Sequence, residues 1–303
     1  TTQDNHEFVR SGAIRALAEN FKDDPDTKTW LKERTTQDNH EFVRSGAIRA
    51  LARNFKDDPD TKTWLKECAT QDDHQYVRGA AVRELAENFK DDLDTKTFLK
   101  KHATQDDHEN VRSAAVEELA ENFKDDPDTK IWLKERATQD DHENVRGAAV
   151  RELAKHFKDD PDTKTWLKER ATQDDHENVR GAAVRELANH FKDDPDTKTW
   201  LKERATQDAH EDVRGVAVRE LAKHFKYQPE LLKIYYHCAV DNAFKGSHNP
   251  RLKLNPRYIA LEIIIKQFPQ HPQTLPLLRD RAQNDPDEQV REFAQKKLAQ
   301  LEK

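Results

Sequence analysis

The chain has 303 residues, of which 34% are hydrophobic and 37% charged, a balance that in a non-repetitive chain leans toward disorder. Its 52 basic and 59 acidic residues are interleaved and leave a net charge of −7, so the clustered basic stripe that nucleic-acid binding needs is missing. No apolar run approaches the roughly 18 residues of a membrane span and the start of the chain has no signal-peptide core, so neither a nucleic acid nor a membrane is expected as partner, and the expected location is cytoplasmic.

Periodicity overrides the lean toward disorder. Units of 34 residues begin at Thr1, Thr35, Ala69, Ala103, Ala137, Ala171 and Ala205. Stacked repeats need little apolar surface per residue, because each packs only on its neighbours. Units 137–170 and 171–204 differ at one position, Lys155 against Asn189, which points to recent tandem duplication. Thr1 falls inside a unit and the chain has no methionine, so a longer protein is expected around it. Cys68 occupies a slot filled by Arg34, Arg136, Arg170 and Arg204 in other units, and neither it nor Cys238 forms a metal or redox motif.

Each unit predicts two antiparallel helices. Asp159-Asp160-Pro161-Asp162 places a capping Asp before a proline at the first helical position, with a further acid in the first turn. The helix runs through Trp166, Leu167 and Ala171 and breaks near Asp174-Asp175. A second helix is expected with Asp174 as N-cap and Glu177 three residues on, in capping-box spacing. Its apolar positions Val179, Ala182, Ala183, Leu187 and Phe191 recur every three to four residues. Gly181, Ala182, Ala183 and Ala188 keep that helix slim, while Trp200 and Phe191 are expected to be buried between layers.

On the polar arc of the second helix, one position reads Phe8, Phe42 and Tyr76, then Asn110, Asn144, Asn178 and Asp212. One and two turns on lie Ser11, Ser45 and Gly79, then Arg15, Arg49 and Arg83. Exposed apolar patches mark contact surfaces, and aromatic rings beside arginines have the composition of an interface hot spot. Phe8, Phe42, Tyr76, Arg15, Arg49 and Arg83 are therefore the candidate patch for a protein partner. Packing of the rings against a segment upstream of Thr1, or drift among copied units, would produce the same column of residues.

Histidines recur at His6, His40, His74, His108, His142, His176 and His210, one per unit at the start of the second helix. They lie a repeat apart, roughly 10 Å by helix packing distance, too far to share a metal. His156, His190 and His224 replace Asn20, Asn54, Asn88 and Asn122 at another slot and are expected to make local polar contacts. No Ser/His/Asp order, phosphate-binding glycine loop or Cys/His cluster occurs. No catalytic residue, cofactor or metal is expected, and the oligomeric state is not readable.

After Phe225 the pattern degrades, dividing the chain into a near-identical array over 1–226 and divergent C-terminal repeats over 227–303. Asp241 stands at the recurring Asp position, but its Arg counterpart is Arg257, so residues 243–254 form an insertion. It carries Gly246, Pro250 and the basic residues Lys245, Arg251 and Lys253 and is expected to be an exposed loop. It either helps the Ile263-Ile264-Ile265 helix close the end of the stack or binds an acidic or phosphorylated partner.

Period 34 is shared by more than one repeat family. The segment Asp174-Asp175-His176-Glu177-Asn178-Val179-Arg180, followed by Ala183, resembles the Asp…Val-Arg…Ala core of HEAT repeats. The same spacing recurs as Asp4/Arg10, Asp38/Arg44, Asp72/Arg78, Asp106/Arg112, Asp140/Arg146, Asp174/Arg180, Asp208/Arg214 and Asp285/Arg291. Each of these arginines falls inside the apolar arc, where a charge must be paired. The resemblance implies a ladder in which each Arg bonds Asp groups of its own and adjacent repeats. It also implies the fold class, an all-α, right-handed α-α superhelix of antiparallel helix pairs whose second helices line the concave side.

The segment from His271 to Ala282, with Asn284-Asp285-Pro286-Asp287-Glu288-Gln289-Val290-Arg291-Glu292-Phe293-Ala294, is similar to the terminal repeats of cyanobacterial NACHT-type signalling NTPases. The phrase Phe-Lys-Asp-Asp-Pro-Asp-Thr is similar to their internal repeats. That likeness implies a sensor or scaffold region without its nucleotide-binding motor. Some HEAT-like proteins are enzymes, DNA glycosylases and phycobilin lyases among them. Near-identical repeats disfavour a single catalytic constellation, and a structural spacer of variable length is the remaining alternative.

Overall fold

Short signals between the helices set where each begins. In the first helix of a repeat, an Asp accepts a hydrogen bond from the backbone N–H two residues on and a proline follows it, as at Asp24, Asp58, Asp126, Asp160 and Asp194. The proline has no N–H to leave unpaired and is already fixed at a helical φ. The first helix beginning at Leu93 has no proline there, and its Asp92 makes no such side-chain bond.

The computed structural model describes residues 6–241 and 255–301. The insertion 243–254, with Lys245, Arg251 and Lys253, lies outside the described residues, as does Asp4. The described residues form seventeen α-helices in consecutive packed pairs, the α-α solenoid class. They divide into two compact units, Thr1–His156 and Phe157–Lys303. The first holds α1 (Glu7–Asn20), α2 (Pro25–Gln37), α3 (Glu41–Asn54), α4 (Pro59–Gln71), α5 (Gln75–Asn88), α6 (Leu93–Gln105), α7 (Glu109–Asn122), α8 (Pro127–Gln139) and α9 (Glu143–His156). The second holds α10 (Pro161–Gln173), α11 (Glu177–His190), α12 (Pro195–Gln207), α13 (Glu211–His224), α14 (Pro229–Asp241), α15 (Pro256–Gln267), α16 (Thr274–Asn284) and α17 (Glu288–Leu301).

In the first unit, α3, α5 and α7 each pack on the first helix of their own pair and on the second helices before and after them in the stack. Alanines make that approach close: Ala47, Ala81, Ala115 and Ala149 are fully buried. Leu31, Leu65, Leu99 and Leu133 from the first helices, with Leu51, Leu85, Leu119 and Leu153 from the second, fill the layers between. The tryptophans contribute less than expected. Trp132 is buried, but Trp166 and Trp200 in the second unit are only half-buried. Arg170 and Arg204 hold their guanidinium carbons 6.0 and 5.8 Å from those ring centroids. At these two repeats the fully buried core ends at leucine, Leu167 and Leu201, and the ring beyond stays near the surface under a cation.

The start of the second helix differs from the capping box expected. Asp174 ends α10, and the N-cap of α11 is His176, whose ring Nδ1 accepts the Asn178 N–H at 3.2 Å. The same bond forms at His40, His74, His108, His142 and His210. Asp174 instead accepts the His176 N–H at 3.0 Å, folding the connection back on itself. These six histidines are thus helix caps, a role that Ser, Thr, Asp and Asn fill far more often, whereas His6 at the N-cap of α1 makes no side-chain capping bond.

The Asp and Arg residues interlock in a definite register. Arg10 reaches Asp38 with two hydrogen bonds of 3.1 and 2.9 Å, and Arg44 reaches Asp72, Arg78 reaches Asp106, and Arg112 reaches Asp140 in the same bidentate way. In the second unit, Arg180 bonds Asp208 at 3.4 Å and Arg257 bonds Asp285 at 3.1 and 3.2 Å. Every one of these side-chain pairs reaches forward to the next repeat.

The pairs that stand six residues apart meet differently from the ladder expected, through the aspartate backbone. Arg44 Nη1 donates to the Asp38 carbonyl at 2.9 Å, Arg78 to that of Asp72 at 3.0 Å, Arg112 to that of Asp106 at 3.0 Å and Arg146 to that of Asp140 at 3.0 Å. In the second unit Arg180 donates to the Asp174 carbonyl at 2.9 Å, Arg214 to that of Asp208 at 2.7 Å and Arg291 to that of Asp285 at 2.7 Å. Arg214 is itself buried and also donates to the Ala209 carbonyl at 3.2 Å, where earlier repeats offer the carbonyl of a second aspartate. The own-repeat expectation for Asp208/Arg214 and its counterparts is thus corrected from carboxylate to carbonyl. The reason is direction: the carboxylate at the end of a first helix turns back to its own His N–H and to the arginine of the preceding repeat, leaving only the carbonyl to face ahead.

One aspartate therefore serves two arginines, that of the preceding repeat and that of its own. Burial pushes the Asp38 carboxyl up, but the hydrogen bonds from Arg10 and from the His40 N–H outweigh it and leave its pKa below the ordinary value. Asp106 is held lower still, against burial, by His102, Arg78 and the His108 N–H.

A second, more exposed set of ion pairs joins the first helices. Lys28 contacts Asp58, Lys62 contacts Asp92 at 2.7 Å and also Asp94, and Lys96 contacts Asp126. In the second unit Lys164 contacts Asp194, and Lys198 contacts Glu230 at 2.9 Å. These lysines grip the acids that cap or begin the next first helix, so one carboxylate serves the helix end and the repeat junction.

In the second unit, Tyr235 occupies the slot held by Leu201 one repeat earlier. It is fully buried, and among the described residues its hydroxyl has no hydrogen-bond partner. An unpartnered buried hydroxyl is destabilising. Tyr235→Phe is therefore expected to raise stability by about 1–2 kcal/mol, measured by chemical denaturation; an unchanged or lower stability would mean that the hydroxyl is hydrogen-bonded.

Candidate functional site

On the exposed side of α1, α3 and α5, three aromatic rings stand where later repeats carry polar side chains. Phe8 is 62% exposed, Phe42 43% and Tyr76 60%. Phe42 and Tyr76 lie on helices packed by neighbours on both sides, α1 and α5 against α3, and α3 and α7 against α5. Their exposure is a property of the face they occupy. The rings of Phe8 and Phe42 meet edge to face with centroids 5.3 Å apart, a favoured aromatic geometry. Tyr76 packs on His74 at 5.2 Å instead, so the capping histidine also supports the ring.

A groove of about 370 Å³ runs between α1 and α3 beside these rings. Phe8, Phe42, Arg15 and Arg49 line it, with Ser11, Gly12, Gly46 and Ala50 as its floor and Glu19, Arg53 and Asn54 at its far end. Four of the six residues expected to form the patch are thus brought into one depression. Tyr76 and Arg83 lie outside it, on α5. Ser45, placed on the same arc by spacing, is buried and donates its hydroxyl to the Tyr76 carbonyl at 3.3 Å. The close approach shows at Gly46, where an added Cβ would come within 2.8 Å of Ser11 Oγ.

Arg53 is the groove residue that sequence reasoning missed. The slot reads Glu19, Arg53, Glu87, Glu121, Lys155, Asn189 and Lys223 along the repeats, so the available signal was a change of sign that Lys155 and Lys223 share, with an arginine in this copy alone. It gives the groove three arginines against one carboxylate, Glu19. Arg53 also lies 3.8 Å from Glu84 on α5. Glu84 and its counterpart Glu118 on α7 carry raised pKa values because burial disfavours their charged forms, and Glu118 is pushed up to about 7, with Glu87 adding to the effect.

Residues 1–86, 63–154 and 132–222 match the family model for HEAT repeats. Comparison with curated proteins gives no match. Among solved structures, the chain is similar to YibA of Escherichia coli, at 19% identity and a TM-score of 0.50, over 94% of this chain and 96% of that one. It is also similar to a mutant of Kap121p, at 14% identity and a TM-score of 0.56, covering 97% of this chain but only 34% of that one. These two likenesses bear on the fold alone. No helix among the described residues is long and apolar enough to cross a membrane. With the family model spanning residues 1–222 and both solved structures agreeing in fold, the chain belongs to the HEAT-repeat family.

Proposed function

We propose that the chain is a non-catalytic protein-binding scaffold whose docking face is the aromatic and arginine patch of α1, α3 and α5. The observation that carries this reading is the exposure of Phe8, Phe42 and Tyr76 on three successive repeats beside a groove containing Arg15 and Arg49, with Arg83 next in line. Rings left in water and flanked by guanidinium groups are the composition on which interface affinity concentrates. The near-identical middle repeats serve as a spacer in this reading, because units 137–170 and 171–204 differ only at Lys155 and Asn189.

The array over 1–226 is then the presenting element and 227–303 its divergent end, with Lys245, Arg251 and Lys253 as a second, weaker contact. The similarity of the segment from His271 to Ala294 to NACHT-type NTPase repeats supports a place in a larger cytoplasmic signalling protein. Affinity capture with the full chain tests the patch. The combined substitutions Phe8→Ala, Phe42→Ala and Tyr76→Ala are expected to weaken partner recovery at least about tenfold, whereas Asn110→Ala, Asn144→Ala and Asn178→Ala on the equivalent slots leave it unchanged. Identical recovery by both triple variants would remove the patch from consideration.

A further inference from the structure

A different place in the first unit gathers metal-ligating groups. On α7 and α9, Glu121, Glu152 and His156 bring one ligand atom each within 4.8 Å of the others. His156 Nε2 lies 3.2 Å from Glu152 Oε2 and 3.4 Å from Glu121 Oε2. Its side chain is 7% exposed and that of Glu152 13%. Two ligand atoms bound tetrahedrally at zinc distances of about 2.0–2.1 Å stand roughly 3.3–3.4 Å apart, which is the spacing seen here.

Directionality supports the same assignment. Neither of these short contacts is a hydrogen bond, and Nε2 is buried without a hydrogen-bond partner. An imidazole lone pair facing two carboxylates is repelled unless a positive charge lies between them. A ring N–H that points at neither oxygen supplies that charge poorly. Three donors that converge on one point, rather than on one another, match a metal ion at that point.

We propose that Glu121, Glu152 and His156 form a three-ligand site for one divalent ion of the zinc class, with Lys155 as its built-in competitor. Lys155 Nζ sits 2.7 Å from Glu121 Oε2 and 3.5 Å from Glu152 Oε2, on the oxygens the metal uses. That side chain is 53% exposed, so it can swing into water when displaced, and ion pairs this exposed are weak.

The site arises where two kinds of repeat meet. His first appears at the slot of Asn20, Asn54, Asn88 and Asn122 in the same unit that lies next to the last acid of the Glu121 slot. Two repeats on, His224 Nε2 lies 3.2 Å from the Asn189 amide oxygen, and Lys223 donates to that oxygen at 2.8 Å. The same scaffold there carries a neutral group in place of the carboxylate. A second cluster among the described residues, Glu177, His210 and Asp212, has its ring Nδ1 engaged as the cap of α13 at 3.3 Å.

Calorimetric titration of the full chain with Zn²⁺, and the visible bands of bound Co²⁺, whose intensity reports a four-coordinate ion, test the proposal. One ion per chain is expected. His156→Asn and Glu121→Gln should each weaken binding about tenfold or more. Lys155→Asn should tighten it, by roughly tenfold, through loss of a competing charge. Asn is what the repeats themselves carry at Asn122 and Asn189, so two of the three variants are compatible with the stack, and circular dichroism checks their folding. Absence of a single-ion event, affinity indifferent to His156→Asn, or weaker binding by Lys155→Asn would each overturn the site.

Discussion

Arg112→Ala is expected to lower stability by about 3–5 kcal/mol, because it leaves the buried Asp140 carboxylate without its ionic partner. Arg112 donates to Asp140 at 3.2 and 3.0 Å and to Asp141 at 2.7 Å, so three bonds across the repeat junction are lost together, along with its 3.0 Å bond to the Asp106 carbonyl of its own repeat. Arg112 is 7% exposed and Asp140 7%, and water cannot replace what is lost without opening the junction. A double-mutant cycle on Arg112 and Asp140 should give a coupling of about 1 kcal/mol or more. The cycle on Asp140 and Arg146 should give much less, since those two meet through the Asp140 backbone carbonyl, which a side-chain change at 140 leaves in place. Equal coupling in both cycles would contradict the forward register. Because neighbouring repeats hold each other up, the Arg112 variant should also unfold in two steps, with the break near α7 and α9.

Acid should dismantle the stack through other carboxylates, after a small gain. Glu118 titrates near 7 because burial raises it, so the folded chain holds a proton that the unfolded chain releases between roughly pH 4.5 and 7. Stability therefore rises as pH falls through that window, by about 1–2 kcal/mol once solvent screening is allowed for. Asp38 and Asp106 have lowered values, as does Asp94, held at about 2 by Lys62 and Lys66. Their stabilising contribution is complete above the ordinary carboxylate pKa and is lost as pH falls through the lowered ones. Maximum stability is thus expected near pH 5, with steep loss below about pH 4. Denaturation series across pH 2–9 would check both limbs. Glu118→Gln should reduce the upper limb alone, leaving the part that the raised Glu84 carboxyl supplies; a variant whose gain on acidification to pH 5 is undiminished would exclude Glu118 as a source.

Much of this molecule can be read from its residues. Asp160 before Pro161 marks a helix start because proline leaves no choice of φ there, and the apolar spacing of Val179, Ala183 and Leu187 marks a buried face. Capping by His176 is not legible in the same way, because imidazole is an uncommon N-cap and Glu177 imitates a capping box. The Arg–Asp register is ambiguous for a different reason. In an array of period 34, an arginine that follows one aspartate by six residues also precedes another by twenty-eight, and only three-dimensional stacking decides which carboxylate it meets. Trp166 reads as interior because it is large and apolar, yet it stays half-buried while Trp132 at the same slot one repeat earlier is buried.

The candidate surfaces divide along the same line. Phe8, Phe42 and Tyr76 stand out because they break a polar column, and exposure on α1, α3 and α5 follows from helical geometry. The groove beside Phe8 and Phe42 also depends on Gly12 and Gly46, whose missing side chains open it, and on Arg53, the one arginine in a slot whose sign varies along the repeats. The constellation of Glu121, Glu152 and His156 is hidden in the sequence because His-to-His distances are the natural test, while the ligands that matter to His156 are acids, one of them on the adjacent helix.

The forward reach of each arginine has one more result. Since each of the described pairs joins the guanidinium of one repeat to the carboxylate of the next, excising or inserting a whole period between such repeats rejoins the same two chemical groups. An array of this kind can be lengthened or shortened by genetic recombination without stranding a charge at the new junction. Copy number is thereby uncoupled from the electrostatics that hold neighbouring copies together.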